Sequence, residues 1–409
     1  LPDREEIIMS ANNLNRRGAL TLLGTTAAAT GLVAATPARA ADAHSTRSDG
    51  LLLTAPRVFD GHRILTDTAV LIRGERIVSI GPPGSIRATG ARRIDLPGAT
   101  ILPGFIDLHV HIGARGIPFD RVLRHGVTTV RELGGAGLPA SSGGPGRLRY
   151  LHAGAFITAP GGYPIPVFGP NGSVTVTGPA NARQAVRELV DRGASVIKIA
   201  LEPGGEPGAP WSQAPANPPP PWPMLSTVEA RAIVEEAHRL GRIVTVHLGE
   251  ERGARIALDA GVDEWAHIPG NPIPNDLLRT AAQRGVRVVA TLDTESHCAG
   301  DLANAKAFLA HGGTLLYGTD MGHLEIPDGF DANELRYLMQ AGLTLDQALA
   351  AATSLAGAHL GLAPLGSLVP GAPADLIAVQ GDPAQDLKNL EYPTMVIAGG
   401  QLVVEESHQ

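Results

Sequence analysis

Pro103-Gly104-Phe105-Ile106-Asp107-Leu108-His109-Val110-His111 reads as a short apolar strand, entered through a Pro-Gly turn and closed by two histidines two residues apart. Side chains alternate across a strand with a period of two, so His109 and His111 face the same way. Two imidazoles side by side at the end of a buried strand are half of a metal site. The other half has to come from other strand ends.

Later segments repeat one pattern: a helical run, a glycine, then a β-rich run. Arg124-His125-Gly126 leads into Val127-Thr128-Thr129-Val130, and Asp191-Arg192-Gly193 into Ser195-Val196-Ile197-Lys198. Arg239-Leu240-Gly241 leads into Ile243-Val244-Thr245-Val246-His247, and Asp259-Ala260-Gly261 into Val262-Asp263-Glu264-Trp265-Ala266-His267. Gln283-Arg284-Gly285 leads into Val286-Arg287-Val288-Val289-Ala290-Thr291, and Ala310-His311-Gly312-Gly313 into Thr314-Leu315-Leu316-Tyr317-Gly318-Thr319-Asp320. The glycine stands where a helix C-terminus needs a left-handed residue. Ser226-Thr227-Val228-Glu229 and Thr344-Leu345-Asp346-Gln347 are capping boxes that start two helices. With the His109 strand and one near Ala155-Phe156-Ile157-Thr158, the strands number eight. Alternating strands and helices in that number predict a (β/α)₈ TIM barrel over residues 101–362. No Gly-x-Gly-x-x-Gly follows the first strand, which argues against a doubly wound open sheet.

The two ends of the chain differ from its middle. Leu51-Leu52-Leu53-Thr54, Ala69-Val70-Leu71-Ile72 and Arg76-Ile77-Val78-Ser79-Ile80 are short strands, the last two joined by the hairpin connection Arg73-Gly74-Glu75. Residues 374–379, 394–398 and 401–404 are alike. Residues 41–100 and 363–409 are therefore expected to pair as one small β-sandwich domain. Residues 1–40 carry Arg16-Arg17, an Ala/Gly/Thr-rich apolar run and Ala38-Arg39-Ala40. That is the layout of a twin-arginine export signal, so a periplasmic or secreted protein is expected.

Composition sets limits on partners. Lys+Arg 33 against Asp+Glu 40 gives net charge −7 with no basic stripe, which argues against nucleic acid and against a membrane role beyond export. A homo-oligomer is compatible with this surface. The one cysteine, Cys298, excludes an internal disulfide framework and a cysteine-rich zinc module. Any metal must be held by nitrogen and oxygen ligands.

Polar residues close several barrel strands: His109 and His111 on the first, Lys198 on the fourth, His247 on the fifth, His267 on the sixth and Asp320 on the eighth. Barrel active sites form at that mouth, and imidazoles with a carboxylate suit zinc and similar divalent metals. Lys198 is the informative member, one of only three lysines, in the apolar strand Val196-Ile197-Lys198-Ile199-Ala200. Burial favours its neutral amine, which can add carbon dioxide to form an anionic carbamate.

This set resembles the amidohydrolase superfamily, in its binuclear branch with a carboxylated lysine. The resemblance rests on residues 104–111, Lys198, His247, His267 and Gly318-Thr319-Asp320, with Leu365-Gly366-Ser367-Leu368-Val369-Pro370-Gly371-Ala372-Pro373-Ala374-Asp375-Leu376 marking the return into the second domain. It covers roughly residues 50 to 405, and the likeness is greatest to imidazolonepropionase-like and Xaa-Pro dipeptidase-like members. The resemblance implies two divalent metal ions, zinc first among them. His109, His111 and Asp320 would hold one, His247 and His267 the other, and carboxylated Lys198 and a hydroxide would bridge them. The hydroxide would add to the substrate carbonyl, with Asp320 as the catalytic residue carrying the proton to the leaving group.

The expected function is thus metal-dependent hydrolysis of a C–N amide-type bond in a small molecule or short peptide. The same binuclear site would serve a lactonase or phosphoesterase, and a rival of another class is a non-catalytic metal- or ligand-binding barrel. Relatives with peptidase activity often carry Gly-Gly-His after the third strand; here the sequence is Gly161-Gly162-Tyr163-Pro164, so an ordinary dipeptidase specificity is not expected. Residues 158–179 and 203–223 are Gly/Pro-rich loops at strand C-terminal ends, expected to cover the substrate. Tyr163, Trp211, Trp222 and His323 are the candidate substrate-binding residues.

Overall fold

Phe105–Val110 is buried at all six positions, as a parallel strand covered on both faces requires. In the computed structural model, which describes residues 50–135, 139–204 and 216–406, it is the first strand of a parallel barrel. The expected export segment and Trp211 lie outside the described residues. Seven strands follow in ring order: Val127–Glu132, Arg149–His152, Ile197–Ala200, Val244–His247, Glu264–Trp265, Arg287–Val289 and Thr314–Leu316. The ring closes where Asp320 N donates to His109 O at 2.8 Å and His111 N to Met321 O at 2.6 Å.

The third strand departs from expectation. Phe156–Thr158 does pair with the fourth strand, through Ile157 and Ile199, but the contact with the second strand is made upstream by Arg149–His152. Gly154, at φ +71°, breaks the two pieces apart. A second departure lies just before it. Among the described residues no helix separates the second and third strands, because Gly134, Gly135, Gly143, Gly144, Pro145 and Gly146 occupy that connection.

Elsewhere the alternation is regular. Phe119–Arg124 follows the first strand, and the helices Gly178–Asp191, Thr227–Arg239, Glu251–Ala260, Asn275–Gln283, Asp301–Ala310 and Ala332–Ala341 follow the third to the eighth. Gly126, Gly193, Gly241, Gly261, Gly285 and Gly312, which lead into strands, all have φ between +69° and +94°. Both capping boxes form, Ser226 with Glu229 and Thr344 with Gln347.

The two chain ends build one eight-stranded sheet. Leu51–Phe59 pairs with Ile64–Arg73 on one side; on the other its first half pairs with Arg92–Asp95 and its second half with Ala99–Pro103. Ala99–Pro103 then pairs with Leu376–Gln380, which carries Pro393–Ala398 and Gln401–Glu405. Leu53, Val58, Ile72, Ile101, Leu376 and Ile397 share its core. Ala99–Pro103 runs almost directly into the first barrel strand, so this β-rich domain anchors the histidine pair from below.

One buried ion cluster stiffens the barrel interior. Arg131, on the second strand and 1% exposed, donates through Nε to Leu108 O at 2.9 Å and through its η nitrogen to Glu264 at 2.6 Å. His359 contacts the other Glu264 oxygen. Burial alone would raise the Glu264 carboxyl, but Arg131 and His359 override it and hold it far below the usual range.

Candidate metal centre

The side chains named from the strand ends converge. His109 Nε2 lies 3.4 Å and His111 Nε2 3.1 Å from the same oxygen, Oδ1 of Asp320. Ring centroids are 4.7 Å apart for His109 and His267 and again for His247 and His267. All line one cavity of 350 Å³, with Lys198 among them.

Each position has a local cause. His109 ends the buried first strand, and His111 sits one residue past it as the N-cap of the short helix Ile112–Arg115. Asp107 holds the turn of the eighth strand onto the first: its carboxylate accepts from His109 N at 3.0 Å and from Thr319 Oγ1 at 2.6 Å. The next residue, Asp320, is left-handed at φ +58°, a conformation costly for a non-glycine residue and persistent where neighbours impose it. His247 closes its strand, whereas His267 lies two residues beyond Glu264–Trp265. Lys198 is the second residue of Ile197–Ala200 rather than its last, so its long stem reaches the mouth from within the barrel.

Hydrogen bonds behind the imidazoles orient them. His109 Nδ1 is 2.9 Å from Ala266 O, a pure acceptor, so Nδ1 carries the proton and Nε2 presents its lone pair to the cavity. His267 Nδ1 is 2.8 Å from Thr291 Oγ1, which leaves its Nε2 for the cavity in the same way. His109 Nε2, His247 Nε2 and Lys198 Nζ are buried and make no hydrogen bond with the described residues. Buried polar atoms are normally paired. Nitrogens and one carboxylate left open toward a common point are a donor set that fits divalent cations.

Electrostatics favour the same reading. Burial pushes His109, His247 and His267 well below their usual range and the Lys198 amine down to about 7. Burial would raise Asp320, but His109, His323 and His111 hold it well below the carboxylate range. For His111 burial is outweighed by Asp320 and Glu132, which lift it to about 9. Those two acids favour positive charge at His111, which a divalent cation supplies as well as a proton does.

The candidate substrate residues divide. Tyr163, 4% exposed, stacks on His247 with ring centroids 4.2 Å apart and lines the cavity. His323 also lines it, its Nε2 3.2 Å from Asp320 Oδ2. Trp222 packs behind Tyr163 at 6.1 Å, donates to Pro218 O at 3.0 Å and does not reach the cavity wall. Of the two loops, residues 158–179 contribute Phe168 and Asn171 to the cavity, and residues 205–215 of the other lie outside the described residues.

Several acids belong to the site that the strand-end reading passed over. Glu132 closes the second strand and lies 3.7 Å from His111 Nδ1; reading that strand two residues further would have found it. Glu202, 1% exposed, lies two residues past the fourth strand and 3.8 Å from His247 Nε2. Glu295 lies 3.9 Å from His267 Nδ1, and burial raises its carboxyl to about 8. It sits in a loop with no periodicity to read. His267, Glu295 and Asp320 form a second potential cation-binding group beside His109, His111 and Asp320.

Known proteins resemble this chain along most of its length. Ochratoxinase of Aspergillus niger is 27% identical over 420 residues, covering 83% of each chain. A solved amidohydrolase superposes with a TM-score of 0.73 at 25% identity, over 88% of this chain and 100% of its own. A prolidase complexed with N-methylphosphonate-L-proline superposes with a TM-score of 0.72 at 25% identity, over 87% and 100%. The sequence profile of the amidohydrolase family matches residues 100–403, across the whole barrel and its return into the β-rich domain, and the chain belongs to that family.

Proposed function

We propose that this amidohydrolase is a metal-dependent hydrolase that cleaves a C–N amide-type bond in a small molecule or short peptide. The observation that carries the reading is the set of buried, open donors, His109 Nε2, His247 Nε2 and Lys198 Nζ, around Asp320. His109, His111 and Asp320 would hold one divalent ion, and His247 and His267 a second, with Lys198 carboxylated between them. Bound there, the ions would make hydroxide available near neutral pH and polarise the scissile carbonyl.

The remaining work falls to the chain. Asp320 faces both His109 and His111 through Oδ1 and His323 through Oδ2, so it stands where a proton can pass from water to a leaving amine. His323, raised by the charge of Asp320, holds that carboxylate in place. Tyr163 covers His247 and keeps bulk water from that side of the cavity. An amine is a poor leaving group until protonated, so a carboxylate at this point favours amide substrates. The similar proteins named ochratoxinase and prolidase support the hydrolytic part of this reading.

Zinc-loaded protein assayed against N-acyl amino acids, dipeptides, lactones and phosphotriesters should turn over amides, and His109→Ala or His247→Ala should abolish metal binding and turnover together. Retained turnover in a metal-free protein overturns the proposal.

A further inference from the structure

The loop between Arg287–Val289 and Asp301–Ala310 winds in successive tight turns. Glu295 N donates to Thr291 O at 3.2 Å, Ser296 N to Asp293 O at 3.2 Å and Cys298 N to Glu295 O at 2.8 Å. The last bond closes a turn that brings its first and fourth residues together, and Cys298 Sγ donates to Glu295 Oε2 at 3.4 Å. His297 joins them: one ligand atom each from Glu295, His297 and Cys298 lie within 4.8 Å of one another. None of the three lines the 350 Å³ cavity.

The surroundings are anionic. Glu295, Cys298 and Asp301 are buried, and among the described residues no arginine or lysine pairs with either carboxylate. Burial and the charges of Glu295, Asp301 and Glu202 push the Cys298 thiol up. Burial likewise raises the Asp301 carboxyl, against its bond from Leu302 N and the nearby charge of His297. A divalent cation offsets such charges and deprotonates a thiol as it binds. Thiolate and imidazole together select zinc-like ions over calcium or magnesium. Composition alone pointed to nitrogen and oxygen ligands; this group adds one sulfur.

We propose that Glu295, His297 and Cys298 form a separate site for one zinc-type divalent cation, outside the substrate cavity, with a water or Asp301 as the fourth ligand. On binding, the Cys298 sulfur bonds to the ion and the thiol proton leaves to solvent. His297 is exposed, so this ion exchanges with solvent and a chelator wash strips it before the two of the buried centre. Glu295 Oε1 lies 3.9 Å from His267 Nδ1, so the bound ion holds this loop against the imidazole from behind.

The test is optical titration of the zinc-loaded, chelator-washed full chain with cobalt(II). Cys298 is the only cysteine, and the buried centre offers only nitrogen and oxygen. A thiolate-to-cobalt charge-transfer band in the near ultraviolet therefore reports this group alone. Wild type should develop the band and saturate it with a single added equivalent. His297→Ala, a change at an exposed position, should weaken cobalt binding by about tenfold or more. Cys298→Ser should abolish the band while the washed protein keeps the zinc content of wild type. No band in wild type, or a band of unchanged affinity in His297→Ala, overturns the assignment. Loss of the buried zinc in Cys298→Ser overturns it as well, since the group would then be part of the buried centre.

Discussion

Thr291 holds its hydroxyl 2.8 Å from Nδ1 of His267 while its own backbone sits at φ +50°. A β-branched residue in the left-handed region is an outlier, worth about 1–3 kcal/mol of strain. The same is true in kind of Asp320 at φ +58°. Both residues lie just beyond barrel strands; Asp320 enters the candidate metal centre itself, and Thr291 touches it through His267. Strain at these two positions and nowhere else around the mouth, among the described residues, ties it to their role in orienting the donor set.

Replacing Thr291 should therefore act on metal binding. Thr291→Val keeps the shape and the backbone preference but removes the hydroxyl that fixes the His267 ring. Metal affinity should fall about 10–100-fold, read by competition with a chromophoric chelator. Thr291→Ser should stay close to wild type. Equal affinities in all three proteins would show that the hydroxyl does not orient His267.

Gly134 keeps the cavity open. A Cβ there would come 2.2 Å from Phe156 Cε2 and 3.0 Å from His111 Cε1. Gly134→Ala should push the Phe156 ring into the cavity and cut kcat/KM for bulky apolar amides by about tenfold or more, as a misplacement near reacting groups does. Small substrates should suffer less. A uniform loss across substrate sizes would point to His111 rather than to Phe156.

Much of this was legible in the residues themselves. A period of two puts His109 and His111 on one face, and an isolated lysine between valine, isoleucine and alanine announces a buried amine. The glycine before each strand marked the helix ends because only a left-handed residue fits there. What stayed hidden depends on tertiary geometry. Ala155-Phe156-Ile157-Thr158 reads as the third strand, yet Arg149–His152 makes the contact with the second, because Gly154 splits the run. Trp222 carries no mark in its neighbours that it would pack behind Tyr163. Glu202 and Glu295 come from irregular segments past strand ends, where no periodicity assigns a face.

The Arg131–Glu264–His359 cluster should govern acid stability. Glu264 is fully buried and its folded carboxyl is depressed well below its unfolded value, with burial opposing the shift and Arg131 and His359 producing it. A depressed carboxyl contributes stability that is present above the unfolded value, about 4.3, and lost as pH falls toward the folded one. Stability should thus decline progressively below that pH. Glu264→Gln, which leaves Arg131 buried without its counter-charge, should cost roughly 3–5 kcal/mol at neutral pH and flatten the acid limb in urea unfolding. An unchanged acid limb would assign the pH dependence to other carboxyls.

The central claim is that His109, His111, Lys198, His247, His267 and Asp320 together hold two divalent ions on which hydrolysis depends. The most direct measurement is metal content per chain, by plasma mass spectrometry after removal of loosely bound ions, with turnover measured on the same samples. The account predicts close to two equivalents in wild type, and loss of metal and turnover together in Lys198→Ala and His247→Ala. One equivalent or none in a fully active wild type, or full activity in Lys198→Ala, would contradict it.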